Sequence, residues 1–188
     1  MAEKTMVDPG THLYPTPAVM VSSADAGGRE SIIAIAWVGI LSSVPPKVGI
    51  GVTPARYSHG IISESGEFVI NLPTADMVRE LDYTGSFSGR DVDKFAELGL
   101  TRVPPTNLSH APLIDECPVN LECRVEQRIG LGSHDAFIAE IVAVHARGDW
   151  VDDSGRPTAG AGDLLAYAGG LYRSLGEVIG SHGFSRGR

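Results

Sequence analysis

Apolar residues recur along this chain in short runs, separated by glycine, proline and polar punctuation, and the period of the runs changes from segment to segment. Residues 1–15 form a polar arm ending in Tyr14-Pro15. Pro17 leads into a short buried strand, Ala18 to Ser23, and Asp25-Ala26-Gly27-Gly28 supplies a hairpin-like turn. From Ser31 to about Val38 the chain is apolar on both faces, the pattern of a strand covered from both sides. Ser42, Ser43 and Pro45-Pro46 interrupt it as a polar turn, and Lys47 to Val52 resumes as a strand. Ser58 is placed to cap a helix running to Glu64, which Gly66 stops. Glu67 to Leu72 is a strand closed by Pro73.

The second half continues the pattern. Ala75 to about Tyr83 puts Met77, Val78 and Leu81 on one side of a helix. Gly85 to Gly89 reads as a flexible loop, and Asp91 caps a second short helix to Leu98, with Val92, Phe95 and Leu98 at helical spacing. Thr101 to Pro118 is proline-rich and mostly irregular. Two long strands follow, Val119 to about Ile129 and Ala136 to about Ala146, joined by the turn at 130–133. In the first, Val119, Leu121, Cys123 and Val125 alternate with Asn120, Glu122, Arg124 and Glu126, as in a half-buried antiparallel strand. A polar connection from Gly148 to Gly162 leads to a tail carrying Tyr167, Tyr172 and Leu175, and residues 185–188 are expected to be disordered. Six or seven strands with short connections, and helices set between them, predict a mostly β chain: an antiparallel β-barrel with helical insertions. No internal repeat is visible, and 188 residues suit one domain over 1–188 with its core at about 14–180.

Composition narrows the function classes. Lys and Arg number 15 against 23 Asp and Glu, a net charge of −8 that weighs against nucleic-acid and anionic-membrane surfaces. No run reaches the roughly 18 apolar residues of a membrane span. The start, Met1 to Gly10, lacks the apolar stretch of a secretory signal, so the expected location is cytoplasmic. Cys117 and Cys123 are not spaced as a metal or redox pair, and Cys123 is expected to be a buried thiol.

The sequence signatures of hydrolases, zinc proteases and nucleotide triphosphatases are absent. The six histidines show no metal-ligand spacing. His145 lies in an apolar strand and reads as packed, whereas His134, following Gly132-Ser133, is placed to face a site. The remaining candidate is Ser31 to Ser58: strand, turn, strand and helix start with Arg56 beside it. Such a segment suits a flat ligand held by backbone and a phosphate held at the helix end. The plainer reading makes Trp37 core, Ser42 and Ser43 a turn, Arg56 a surface charge and Ser58 a cap.

The order of parts decides between these. Tyr14 to Val19, Ala36-Trp37-Val38-Gly39 with Ser42 to Pro46, Arg56-Tyr57-Ser58, Gly66 to Leu72, Gly85 to Phe95, Leu121 to Cys123 and Gly132 to Asp135 follow one another as in a known family. The chain resembles the flavin reductase-like, FMN-binding split-barrel proteins, in their flavoredoxin-type branch, over roughly residues 14 to 180. The resemblance implies FMN as cofactor, with NADH or NADPH as reductant and a homodimeric assembly. It implies a ring cradle from Ala36, Trp37, Val38, Gly39, Ile40, Ser42 and Ser43, a phosphate site from Arg56, Tyr57 and Ser58, and a further contribution from Ser88 and Lys94 in the 85–95 loop. Family members commonly carry Asn and Thr where this chain has Ser31 and Ala34, which removes one polar side chain. The activity implied is an NAD(P)H:flavin reductase; the alternatives are an FMN electron carrier and a non-enzymatic dimeric barrel for another ligand.

Overall fold

The structure is a computed structural model that describes residues 3–158 and 164–186. Its strands are β1 (Thr16–Pro17), β2 (Val19–Ala24), β3 (Glu30–Ile35), β4 (Val38–Ser43), β5 (Pro46–Val52), β6 (Glu67–Leu72), β7 (Arg102–Val103), β8 (Leu113–Ile114), β9 (Val119–Gly130), β10 (Asp135–Ala146), β11 (Leu165–Ala168) and β12 (Leu171–Ser174). The α-helices are α1 (Tyr57–Ser65), α2 (Val78–Ser86) and α3 (Lys94–Leu98). Among the described residues, no helix is long and apolar enough to cross a membrane.

Seven strands form one antiparallel sheet in the order β3-β2-β6-β9-β10-β5-β4. It curls so that alternate side chains of each strand meet inside: Val21, Ile33, Ile50, Phe68, Cys123 and Phe137 share one core. β3 and β5 come together across the opening, yet no ladder joins them among the described residues. The barrel is therefore split along that seam, and the mostly β architecture predicted from alternation is the one observed. The outer face of β2 and β3 is buried too, under α2, α3 and the 101–118 segment, where Met20, Ile32, Leu81, Phe95 and Ile114 pack. This double covering explains why β2 is buried at every position.

The proline-rich segment cannot pair along its length with the sheet, and side chains hold it instead. Glu67 accepts backbone N–H bonds from Ser109, His110 and Ala111. Glu122 accepts those of Thr106, Asn107 and Leu108 and lies 2.6 Å from His145 Nε2. Asn71 accepts from Ile114 N–H and donates to Met20 O and Ser22 Oγ. The N–H groups of residues 106–111 and 114 of the strap thus find carboxylate or amide acceptors. Cys117 and Cys123 are buried free thiols, and burial pushes Cys123 up to about 12.

Several local expectations need correcting. The first long strand stops at Ile35, and the stretch expected to be a turn is itself a strand, β4, hairpinned to β5; the turn proper is Val44-Pro45. Gly51 permits the bend between β3 and β4, since a Cβ there would stand 3.1 Å from Trp37 Cβ. Arg56, in extended conformation, occupies the N-cap of α1, and Ser58 is buried within its first turn. Gly66 ends that helix in the left-handed region at φ 69°, as its position implies. Gly85 and Ser86 belong to α2, not to a loop, and Asp93 rather than Asp91 caps α3, accepting from Phe95 and Ala96 N–H. Leu113–Ile114 and Arg102–Val103 form a small ladder in the segment read as mostly irregular, an expectation this leaves standing. Ser185 and Arg186 lie in a 3-10 turn, while residues 159–162 of the polar connection and 187–188 of the tail fall outside the described residues.

Candidate functional site

A cleft of about 380 Å³ opens at the seam between β3 and β5, within the range of ordinary ligand sites. Ile33, Ala34 and Ile35 form its floor, the Ala36-Trp37 bend and Thr53 its sides. α2 contributes Leu81, Asp82, Gly85 and Ser86; the β11–β12 hairpin contributes Tyr167 and Tyr172, and His134 stands at the start of β10. Ala34 is close-packed: a Cβ on Gly85 would lie 3.1 Å from its own, and Thr53, Arg56, Asp82, Ser86, His134, Tyr167 and Tyr172 bring polar groups to the same cleft.

A second pocket of about 180 Å³ adjoins the first and shares Ile33 and Arg56 with it. It is lined by Ser31, Tyr57, Ser58, Ser88, Arg90 and Lys94, among others. The start of α1 supplies its wall, and no side chain caps that helix or places an acid in its first turn. His59 N–H already bonds Arg56 O at 3.1 Å, and the N–H groups of Tyr57 and Ser58 are left for an outside acceptor. Lys94 is 5% exposed, and Nζ donates to Ile32 O at 2.6 Å and Thr84 O at 2.7 Å. An ammonium has three donors, so one remains. Burial, and then the charge of Arg56, lower the amine to about 8. Among the described residues, none of Lys94, Arg56 and Arg90 makes an ion pair; Arg56 reaches Gly85 O at 3.3 Å and Arg90 reaches Ala55 O at 3.4 Å. A buried cation without a carboxylate is costly unless an anion joins it. The donor set fits a phosphate monoester, and the adjoining cleft fits a planar ring, which together are the parts of FMN.

At the opposite end of the cleft, Tyr172 O–H donates to Asp82 Oδ1 at 3.0 Å. Burial, and then Asp82, push the phenol up to about 12, so it stays a donor and fastens the β11–β12 hairpin to α2.

Of the residues expected from the sequence, Ala36, Trp37 and Arg56 line the cleft, and Arg56, Tyr57, Ser58, Ser88 and Lys94 line the adjoining pocket. Val38, Gly39 and Ile40 instead face a separate apolar groove of about 200 Å³ with Ile70, Leu72 and Leu121. Ser42 and Ser43 lie at the far end of the β4–β5 hairpin and line neither pocket. The reason is the bend at Trp37, which turns β4 away from the seam. His134 does face the cleft. Thr53, Asp82, Tyr167 and Tyr172 were not anticipated. The alternation of Leu165-Ala166-Tyr167-Ala168 about Gly169-Gly170 is a hairpin signal that puts the two tyrosines in register, opposite one another.

Known proteins share this sequence pattern and fold along most of the chain. The family model for the flavin reductase like domain matches residues 11–176. Flavoredoxin of Desulfovibrio vulgaris (Miyazaki F) is 34% identical, with a TM-score of 0.89 over 99% of this chain and 100% of that one. Flavoredoxin from Methanosarcina acetivorans is 30% identical, with a TM-score of 0.90 over 98% and 97%. An FMN reductase (NADH) RutF from Stutzerimonas stutzeri is 25% identical over 84% of this chain and 81% of its own.

Proposed function

Because the chain belongs to the flavin reductase-like domain family, we propose that it is an FMN-binding oxidoreductase that takes a hydride from NADH or NADPH. The observation that carries this reading is the unpaired cation pair Lys94 and Arg56 beside an uncapped helix start, opening directly into a flat cleft. Bound FMN supplies the two-electron chemistry, so the chain needs no nucleophile or acid of its own. Lys94, Arg56, Ser58 and the first N–H groups of α1 hold the phosphate; Ser88 and Arg90 close over it from the 87–93 loop. The β3 backbone and the Ala36-Trp37 bend orient the ring, and Trp37, 37% exposed, leaves room on its open side for a nicotinamide.

Similarity to flavoredoxins along nearly the whole chain favours a second reading, an FMN electron carrier that does not react with nicotinamide. Anaerobic mixing of the FMN-loaded protein with NADH and with NADPH separates the two. Loss of the oxidised-flavin absorption within seconds is expected for the reductase, and a spectrum unchanged by both nucleotides refutes it. We also read the molecule as a homodimer. β4 is a sheet edge, and Ile40 and Leu41 on it, with Val44 in the turn after it, are exposed.

A further inference from the structure

Three side chains at the rim of the cleft form a hydrogen-bonded chain to which the reading above assigns no task. Ser133 Oγ lies 2.9 Å from His134 Nδ1, and His134 Nε2 lies 3.1 Å from Thr53 Oγ1. The sheet dictates the pairing: Val52 of β5 stands opposite Asp135 of β10, so Thr53 and His134 are the next residues beyond the end of that ladder. Trp37 flanks the imidazole, ring centres 6.5 Å apart. The charged and titratable groups sharing the cleft are Arg56, Asp82, Tyr167 and Tyr172. The adjacent carboxylate, Asp135, is engaged by His59 at 2.9 Å and by Arg128 at 3.6 Å. Both ring nitrogens of His134 are thus engaged by hydroxyls.

A threonine hydroxyl has one proton and two lone pairs. When Nε2 carries the imidazole proton, it donates to Thr53 Oγ1, and the Thr53 proton is left for the cleft. Exposed Ser133 then donates to Nδ1. When Nδ1 carries the proton, Thr53 must donate to Nε2, and only lone pairs face the cleft. A ligand that gains negative charge selects the first arrangement over the second.

Building on the FMN reading, we propose that Thr53 is the hydrogen-bond donor of the cleft, oriented by His134 and Ser133, and that it stabilises the negative charge the ring gains on reduction. A hydride leaving a nicotinamide carries two electrons, so the nicotinamide ends one charge more positive and the ring one charge more negative. Thr53 touches that charge; His134 and Ser133 are positioning residues. The donor needs no titration of its own and no change of fold, because rotation of one hydroxyl suffices.

The test measures the dissociation constant of oxidised FMN and the midpoint potential of the bound flavin by spectroelectrochemistry. Thr53→Val, equal in shape, is expected to leave oxidised-FMN affinity within about threefold and to weaken the reduced form roughly tenfold more, a fall of about 30 mV for a two-electron couple. Thr53→Ser restores the potential, and Ser133→Ala, at an exposed site, lowers it by less. With FMN bound, potentials equal to wild type in both Thr53→Val and Ser133→Ala overturn the donor assignment and leave the FMN reading standing. Failure of the wild-type protein to bind FMN overturns both.

Discussion

Lys94 concentrates the electrostatic argument in one side chain. Two carbonyls hold its ammonium, no carboxylate neutralises it among the described residues, and its amine is lowered to about 8 by burial and then by Arg56. Below pH 8 it carries a charge that a phosphate can use. FMN affinity is therefore expected to fall as pH rises through about 8, while riboflavin, lacking the phosphate, shows no such loss. Fluorescence titrations of both from pH 7 to 9.5 check this, and a constant FMN-to-riboflavin ratio would remove Lys94 from the phosphate site. Folding moves the other way. Between pH 8 and 10.5 the unfolded chain holds more protons at this lysine than the folded one, so the ligand-free protein gains stability from it as pH rises. Arg56→Ala removes a charge-assisted contact and should weaken FMN by about 1.5–3 kcal/mol, again with riboflavin as the control. In the sequence, Arg56 is marked by its place beside a helix start, whereas Lys94 is one cation in a polar loop that the family resemblance places near the flavin. The burial of Lys94 has no local signal, because Ile32 and Thr84, whose carbonyls hold it, lie 62 and 10 residues away.

Among the elements, β9 shows most clearly where alternation stops informing. Glu122 takes the polar phase of the strand, as its spacing implies, yet it is fully buried because the 101–118 strap covers that face. Burial alone would raise its carboxyl. The N–H groups of Thr106 and Asn107, with His145 after them, outweigh that and hold it at about 2. A carboxylate lowered in the folded state stabilises fully above its unfolded value of 4.5 and loses that contribution as pH falls towards 2. Glu122→Gln should cost about 3 kcal/mol and free the strap, seen as a lower Tm and faster amide exchange at 106–108. A Tm unchanged at pH 7 would show that the strap is held elsewhere. β4 failed for another reason. Two serines and two prolines look like a turn, and the strand character of Val38–Ser43 comes only from its ladder with β5.

For the whole molecule, the barrel was readable because most strands are short apolar or alternating runs and most connections carry a glycine or proline; the β3–β4 connection, Ala36-Trp37, carries neither, and β4 was missed there. The site was not readable, since it draws on β3, β5, α1, α2, the 87–93 loop, α3, the turn before β10 and the β11–β12 hairpin. No window of sequence spans these parts; curling the sheet brings them to one seam. The apolar edge at β4 carries a further expectation. Light scattering should give twice the mass of one chain, and Ile40→Lys with Leu41→Lys should halve it; a wild-type monomer would contradict pairing there. FMN titration into the purified protein, followed by visible absorption and flavin fluorescence, bears most directly on the function. A saturable spectral shift with quenching at one FMN per chain, weakened in Lys94→Met and Arg56→Ala, is the expected result. A flavin spectrum left unchanged by the protein at every concentration would contradict it.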